Sequence, residues 1–189
     1  MQAMAKLHPA EAWVHYQLGL TLAAFQPEAA LAHLNQAASL DDSHAEAVKM
    51  IEMSVSRARA SGDRAYLLVS TGRALAQLGE WERAAEAFRQ ATQTKPDYAE
   101  AWAFLGEAQQ RLGQEAQVSL ETAVSLDPQS VAANTFLALY WQRQRRYDLA
   151  LDYLDKAARL DPRNPALQVE LGNTMAIAGN LAAAAAYYQ

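Results

Sequence analysis

Residues 65–98 read AYLLVSTGRALAQLGEWERAAEAFRQATQTKPDY, and residues 99–113 continue AEAWAFLGEAQQRLG. Gly72 and Gly106 stand 34 residues apart, as do Gly79 and Gly113. Within the stretch the apolar residues Leu68, Leu75 and Leu78, and then Trp102, Leu105 and Leu112, follow the helical period and not the alternation of a strand. Gly79 and Gly113 end a first helix, where a left-handed residue closes the C-terminus at little cost. Gly72 and Gly106, with the alanines of each second helix, leave room for two helix backbones to approach. A period of this length built from two helices describes units that bury one continuous core only by stacking on their neighbours.

The same spacing extends in both directions. From Val131 it continues through Leu137, Ala138, Tyr147, Ala150, Leu154, Ala157 and Pro162, and from Pro165 through Leu171, Gly172, Gly179, Leu181, Ala184 and Tyr188. An earlier copy from Ala12 carries Leu18, Gly19, Ala30, Leu34 and Ala37, one residue short, with Asp42 where the others have proline. The copy from Ala99 has lost two residues, which the spacing places in the turn between its helices. Asp127-Pro128 and Asp161-Pro162 end second helices, because proline cannot continue a helix and restricts the residue before it.

These residues resemble the tetratricopeptide repeat, whose pattern of Leu-Gly, an aromatic, Ala, Phe, Ala and Pro is matched by Leu68, Gly72, Leu75, Gly79, Trp81, Ala84, Phe88, Ala91 and Pro96. The resemblance implies an all-α, right-handed superhelical solenoid of antiparallel helix pairs. The period divides the chain into the tail of a preceding repeat at 1–11, a repeat at 12–44, an incomplete repeat of one helix at 45–64, repeats at 65–98, 99–130 and 131–164, and a truncated repeat at 165–189. Two irregularities stand out. Residues 1–8 read as the tail of a missing helix and residues 181–189 as a second helix cut short, so a segment of a longer array is expected. Between Ser43 and Arg64, Val48, Ile51 and Val55 mark one helix near 45–60 with no partner before the next first helix begins. An odd helix predicts a kink or a slip of phase there, with Arg57, Arg59 and Arg64 near the break.

Several chemistries are poorly served by this composition. The chain has 189 residues, is 51% hydrophobic and carries 21 acidic against 16 basic residues, for a formal charge of -5. Without a long Lys/Arg block, nucleic acid is not an expected partner. No stretch has the length and apolarity of a membrane span, so direct membrane insertion is not expected. Cysteine is absent, which removes disulfides, thiolate zinc sites and cysteine nucleophiles, and suits either redox environment, with the cytoplasm favoured. His8, His15, His33 and His44 lack the spacing of a zinc pair, and His33 and His44 are expected on a helix surface and in a turn. No Gly-x-Ser-x-Gly and no phosphate-binding glycine run occurs. No catalytic residue, metal site or cofactor is therefore expected, and the chain is not read as an enzyme. The run 142–146, QRQRR, falls at a first-helix C-terminus, where arginines meet the helix dipole favourably. Trp81, Trp102 and Trp141 are read as packing residues.

The resemblance also implies where a partner lies: along the concave face of the first helices, at the second, fifth, ninth, twelfth and thirteenth residues of each repeat. Carried over, that row contains Tyr66, Val69, Arg73 and Gln77, then Ala103, Glu107, Gln110 and Arg111, then Thr135, Leu139, Gln142 and Arg143, and finally Val169 and Asn173. Relatives that hold acidic chaperone tails use lysines at the fifth position. Val69, Ala103, Thr135 and Val169 stand there instead, so that ligand is not expected. The expected function is a non-catalytic scaffold for a protein or peptide segment. Two alternatives are self-assembly into a homo-oligomer through end faces around Met175, Ile177 and Tyr187, and service as the targeting arm of a larger enzyme.

Overall fold

The computed structural model describes residues 11–187. Among them eleven α-helices follow one another: α1 (Ala12–Ala23), α2 (Pro27–Leu40), α3 (Ala45–Arg59), α4 (Arg64–Gln77), α5 (Trp81–Thr94), α6 (Ala99–Arg111), α7 (Gln117–Leu126), α8 (Val131–Arg143), α9 (Tyr147–Leu160), α10 (Pro165–Ile177) and α11 (Leu181–Ala186). A single 3-10 turn, Asp42–His44, joins α2 to α3. The tail read at residues 1–8 lies outside the described residues.

Local chemistry explains where the helices begin and end. Asp63, Ser130 and Asn164 cap α4, α8 and α10 by accepting from backbone N–H groups of the first turn, which otherwise have no partner. Pro27 and Pro165 occupy first-turn positions whose N–H is not needed. First helices close on Gly79, Gly113 and Gly179, all at positive φ. In each case the next residue donates back across the turn, as Glu80 N–H does to the Leu75 carbonyl at 2.9 Å and Asn180 N–H to that of Met175 at 2.9 Å. In α8 the same bond runs from Arg146 N–H to the Trp141 carbonyl at 2.9 Å, and Arg145 takes the glycine place at φ 58°.

Pairing within each repeat rests on the small residues. A methyl group on Gly19, Gly72 or Gly106 would sit 2.6, 2.6 or 2.5 Å from Leu34, Phe88 or Leu120 of the facing second helix. Leu68, Leu75, Phe88 and Ala91 are fully buried in a core that runs unbroken from α1 to α6. The expected all-α solenoid of antiparallel helix pairs is therefore what the structure shows.

The odd helix is real, and it slips the phase. After α3, α4 packs on α6 and α6 on α8, first helix on first helix, while each second helix packs on the next first, α5 on α6, α7 on α8 and α9 on α10. At α3 this rule breaks. α3 packs against α2 on one side and α4 on the other, while α1 reaches past it to both α4 and α5. Gln17 of α1 accepts from the Arg83 guanidinium of α5 at 2.7 Å, across 66 residues. The helices after α3 keep their roles, because Gly72 and Phe88 meet as Gly19 and Leu34 do. Arg59 and Arg64 pin the break from α2 and the turn before it: Arg59 Nε lies 3.3 Å from the Glu28 carboxylate, and Arg64 donates to the Phe25 carbonyl at 3.0 Å.

Two sequence expectations need correction. The two residues missing from the 99–130 repeat are not lost from the turn, which is longer here; α7 has 10 residues against 14 in α5 and α9. Glu115 Oε1 accepts from the N–H groups of Ala116 and Gln117 at 2.9 Å and stands in for the absent first turn. His33 is not a surface residue: it is half-buried against buried His15, with the two Nδ1 atoms 3.1 Å apart. Burial, and then His15, pushes the His33 imidazole below its ordinary pKa. Trp81, Trp102 and Trp141 pack against the core as expected, each half-buried at its edge.

Candidate functional groove

The first helices α4, α6 and α8 present one continuous face. Three adjoining depressions run along it, and Arg73 lines all of them. The widest, about 600 Å³, lies between the N-terminal ends of α6 and α8 and is lined by Arg73, Tyr98, Glu100, Phe104, Asp127 and Ser130. A second, about 330 Å³, is walled by Arg73, Ala76, Gln77, Trp81, Phe104 and Glu107. The third, about 220 Å³, opens between α3 and α4.

Aromatic rings tie this face to the core. Phe88, Phe104 and Phe136, one each from α5, α6 and α8, form a row with centroids 5.5 and 5.6 Å apart. Phe104 is half-buried, and the Arg73 guanidinium lies 5.0 Å above its ring while standing 3.5 Å from the Glu100 carboxylate. Farther along, the Arg111 guanidinium stacks over Trp81 at 5.2 Å and pairs with Glu107 at 3.6 Å. Burial pushes the Glu107 carboxyl above its ordinary pKa, against the opposing pull of Arg111 and Arg143. Burial likewise raises the Tyr98 phenol, helped by its hydrogen bond to Glu100 at 2.7 Å. Gln110 donates to the Phe136 carbonyl at 3.2 Å and accepts from Arg143 at 2.7 Å, bridging α6 to α8.

The residues expected from sequence are placed differently by the structure. Tyr66, Arg73, Gln77 and Glu107 line the depressions, and Gln110, Arg111 and Arg143 form the polar network beside them. Val69 and Ala103 are buried below the floor at 1% and 0% exposure and cannot touch a partner. Thr135 spends its hydroxyl on the Val131 carbonyl, Gln142 donates to Thr174, and Leu139 is half-buried. Val169 and Asn173 lie farther on, along α10.

The sixth residue of the repeat, and not the fifth, reaches the depressions at Ser70 and Phe104, and Phe136, the sixth of the next repeat, packs against Phe104. Helical spacing accounts for this, since positions 2, 6, 9 and 13 are separated by four, three and four residues and share one stripe. Phe104 and Trp81 also line the depressions, though the sequence did not single them out as contact residues. An aromatic pair at the sixth place of two successive repeats, Phe104 and Phe136, was the signal available. At the far end Ile177 and Leu181 are exposed, whereas Met175 and Tyr187 are half-buried.

No group of three or more metal-binding side chains occurs among the described residues, and no described helix is long and apolar enough to cross a membrane. Family models described as "TPR repeat" and "Tetratricopeptide repeat" match residues 72–113 and residues 109–165 and 142–189, respectively. No curated protein matches the chain. Among solved structures, it is similar to MamA from Desulfovibrio magneticus RS-1 at 23% identity and a TM-score of 0.60, covering 94% of this chain and 90% of that one. It is similar to YrrB, described as a TPR protein with an unusual peptide-binding site, at 18% identity and a TM-score of 0.57, over 98% and 87% of the two chains. The first TPR of Spaghetti (RPAP3), bound to the HSP90 peptide SRMEEVD, aligns at 17% identity and a TM-score of 0.57, over 61% of this chain and 94% of that one.

Proposed function

The chain belongs to the tetratricopeptide repeat family, and on that premise we propose that it is a non-catalytic scaffold holding a peptide segment of a partner protein along the concave face of α4, α6 and α8. The observation that carries this reading is the run of depressions joined at Arg73, with an aromatic floor at Phe104 and Trp81 and polar groups on both sides. Apolar rings among a few fixed polar groups suit a segment that buries modest anchors and aligns through its polar groups. That YrrB and Spaghetti structures carry peptide-binding descriptions supports a peptide ligand on this fold. The mixed charge of the face, with Arg73 beside Glu100 and Arg111 beside Glu107, speaks against nucleic acid as the occupant.

The test is a binding measurement on the double variant Arg73→Glu, Arg111→Glu. Both side chains are half exposed, so the helical circular dichroism signal should be unchanged. Affinity for a peptide selected by display on the wild-type chain should fall about tenfold or more, the loss expected when central arginine contacts are reversed. Unchanged affinity would move the site off this face.

A further inference from the structure

The depression between α3 and α4 differs in kind from the other two. It is lined by Ser54, Arg57, Tyr66, Ser70, Arg73 and Gln77, together with Ala74, and no carboxylate lines it. The two flanking depressions both include glutamate. Serine and threonine inside helices commonly donate to the carbonyl four residues back, as Thr71 does to Leu67 at 2.9 Å and Thr135 to Val131 at 2.8 Å. Ser54 and Ser70 make no such bond. Nor do the Arg57 guanidinium, the Tyr66 hydroxyl or the Gln77 amide have a hydrogen bond or ion pair with any described residue. Five side chains with unspent donors, from two antiparallel helices, thus converge on one cavity. Arg73, whose one ion pair is the Glu100 contact at 3.5 Å, closes its inner wall.

We propose that this cavity is an oxyanion subsite which takes a carboxylate or phosphoryl group at the acidic end of the bound peptide. Two guanidiniums offer forked N–H pairs matched to planar or tetrahedral oxyanions, and the hydroxyls supply neutral donors to the remaining oxygens. The subsite exists because of the odd helix. Ser54 and Arg57 belong to α3, which has no second-helix partner, and its C-terminal half faces α4 across the turn at residues 60–63. Since the charged residues lining this cavity are the arginines Arg57 and Arg73, while Glu100, Glu107 and Asp127 line the flanking depressions, the groove is polarised. A peptide lying in it points its acidic end toward α3. The direction of the peptide rests on the peptide-scaffold reading above; the anion site does not.

The experiment uses small anions and no peptide, so that its failure is separate from that of the scaffold reading. The isotope-labelled full chain is titrated with inorganic phosphate and, separately, with acetate, at ionic strength held constant with chloride, while backbone amide and arginine Nε–H shifts are followed. Saturable shifts are expected at Ser54, Arg57, Ser70 and Arg73 with at least one of the two anions, and which one distinguishes phosphoryl from carboxylate. In Arg57→Gln the half-saturating concentration should rise about fivefold or more. In Arg89→Gln, on α5 beside Glu86, it should stay the same. Arg57 is exposed, so the variant retains the fold, checked by its thermal melt. Absence of saturation with both anions, or equal binding by Arg57→Gln, overturns the proposal.

Discussion

Arg145 carries backbone strain that its three counterparts avoid. Gly79, Gly113 and Gly179 adopt φ of 79°, 67° and 90°, where glycine meets no penalty, but Arg145 holds φ 58° with a side chain attached. Arg145→Gly should therefore raise stability by about 1 kcal/mol in chemical denaturation. Arg146→Gly, one residue away, should give no such gain, and a loss of stability in Arg145→Gly would contradict the assignment. The glycines at these turns were legible in the sequence because their spacing repeats. The residue in the arginine run that takes the glycine's conformation became visible only by counting along the repeat. Single side chains along the groove were less legible. Val69 and Ala103 pass beneath the floor because a one-residue offset rotates a side chain by about 100° around the helix, which a family rule stated by position does not resolve.

At the scale of elements, α3 begins the most regular part of the array by ending in a turn that Asp63 organises. The Asp63 carboxylate accepts from Ala65 N–H at 2.8 Å and Tyr66 N–H at 3.1 Å and lies 3.2 Å from Nζ of Lys95, the residue that ends α5. The Tyr66 N–H, followed by Lys95, holds its carboxyl below the ordinary value of 3.8. Because the folded value is the lower one, the unfolded chain takes up the proton first. The stabilisation is complete above the unfolded value and is lost as pH falls from there through the folded value. Asp63→Ala should cost about 1 kcal/mol near neutral pH, and that cost should shrink as pH is lowered through the carboxylate range. Asp63→Asn should keep much of the cap while losing this acid dependence. A cost of Asp63→Ala that is the same at every pH would show that the charge contributes nothing. Helix number and order were legible from period and caps, including the odd helix. The short α7 was not, because a loss of two residues fits a shorter turn and a shorter helix equally until Glu115 is seen filling the gap.

Over the whole molecule, the repeats before and after α3 do not simply stack. α1 bypasses α3 to reach α5 through Gln17 and Arg83, so the first pair closes over the second and the core continues from α1 to α6. Sequence showed that something must slip at residues 45–60, since one helix had no partner. It could not show that α1 would take up the contact, which depends on a pairing 66 residues away. The face that remains open after this closure is that of α4, α6 and α8, bounded at one end by the basic cavity under α3. Amide hydrogen exchange with and without a display-selected peptide tests directly that this face is the working surface. Slowed exchange is expected in α4, α6 and α8, with α5, α7 and α9 little changed. Protection confined to α5, α7 and α9, or to the exposed end at α10 and α11, would contradict it.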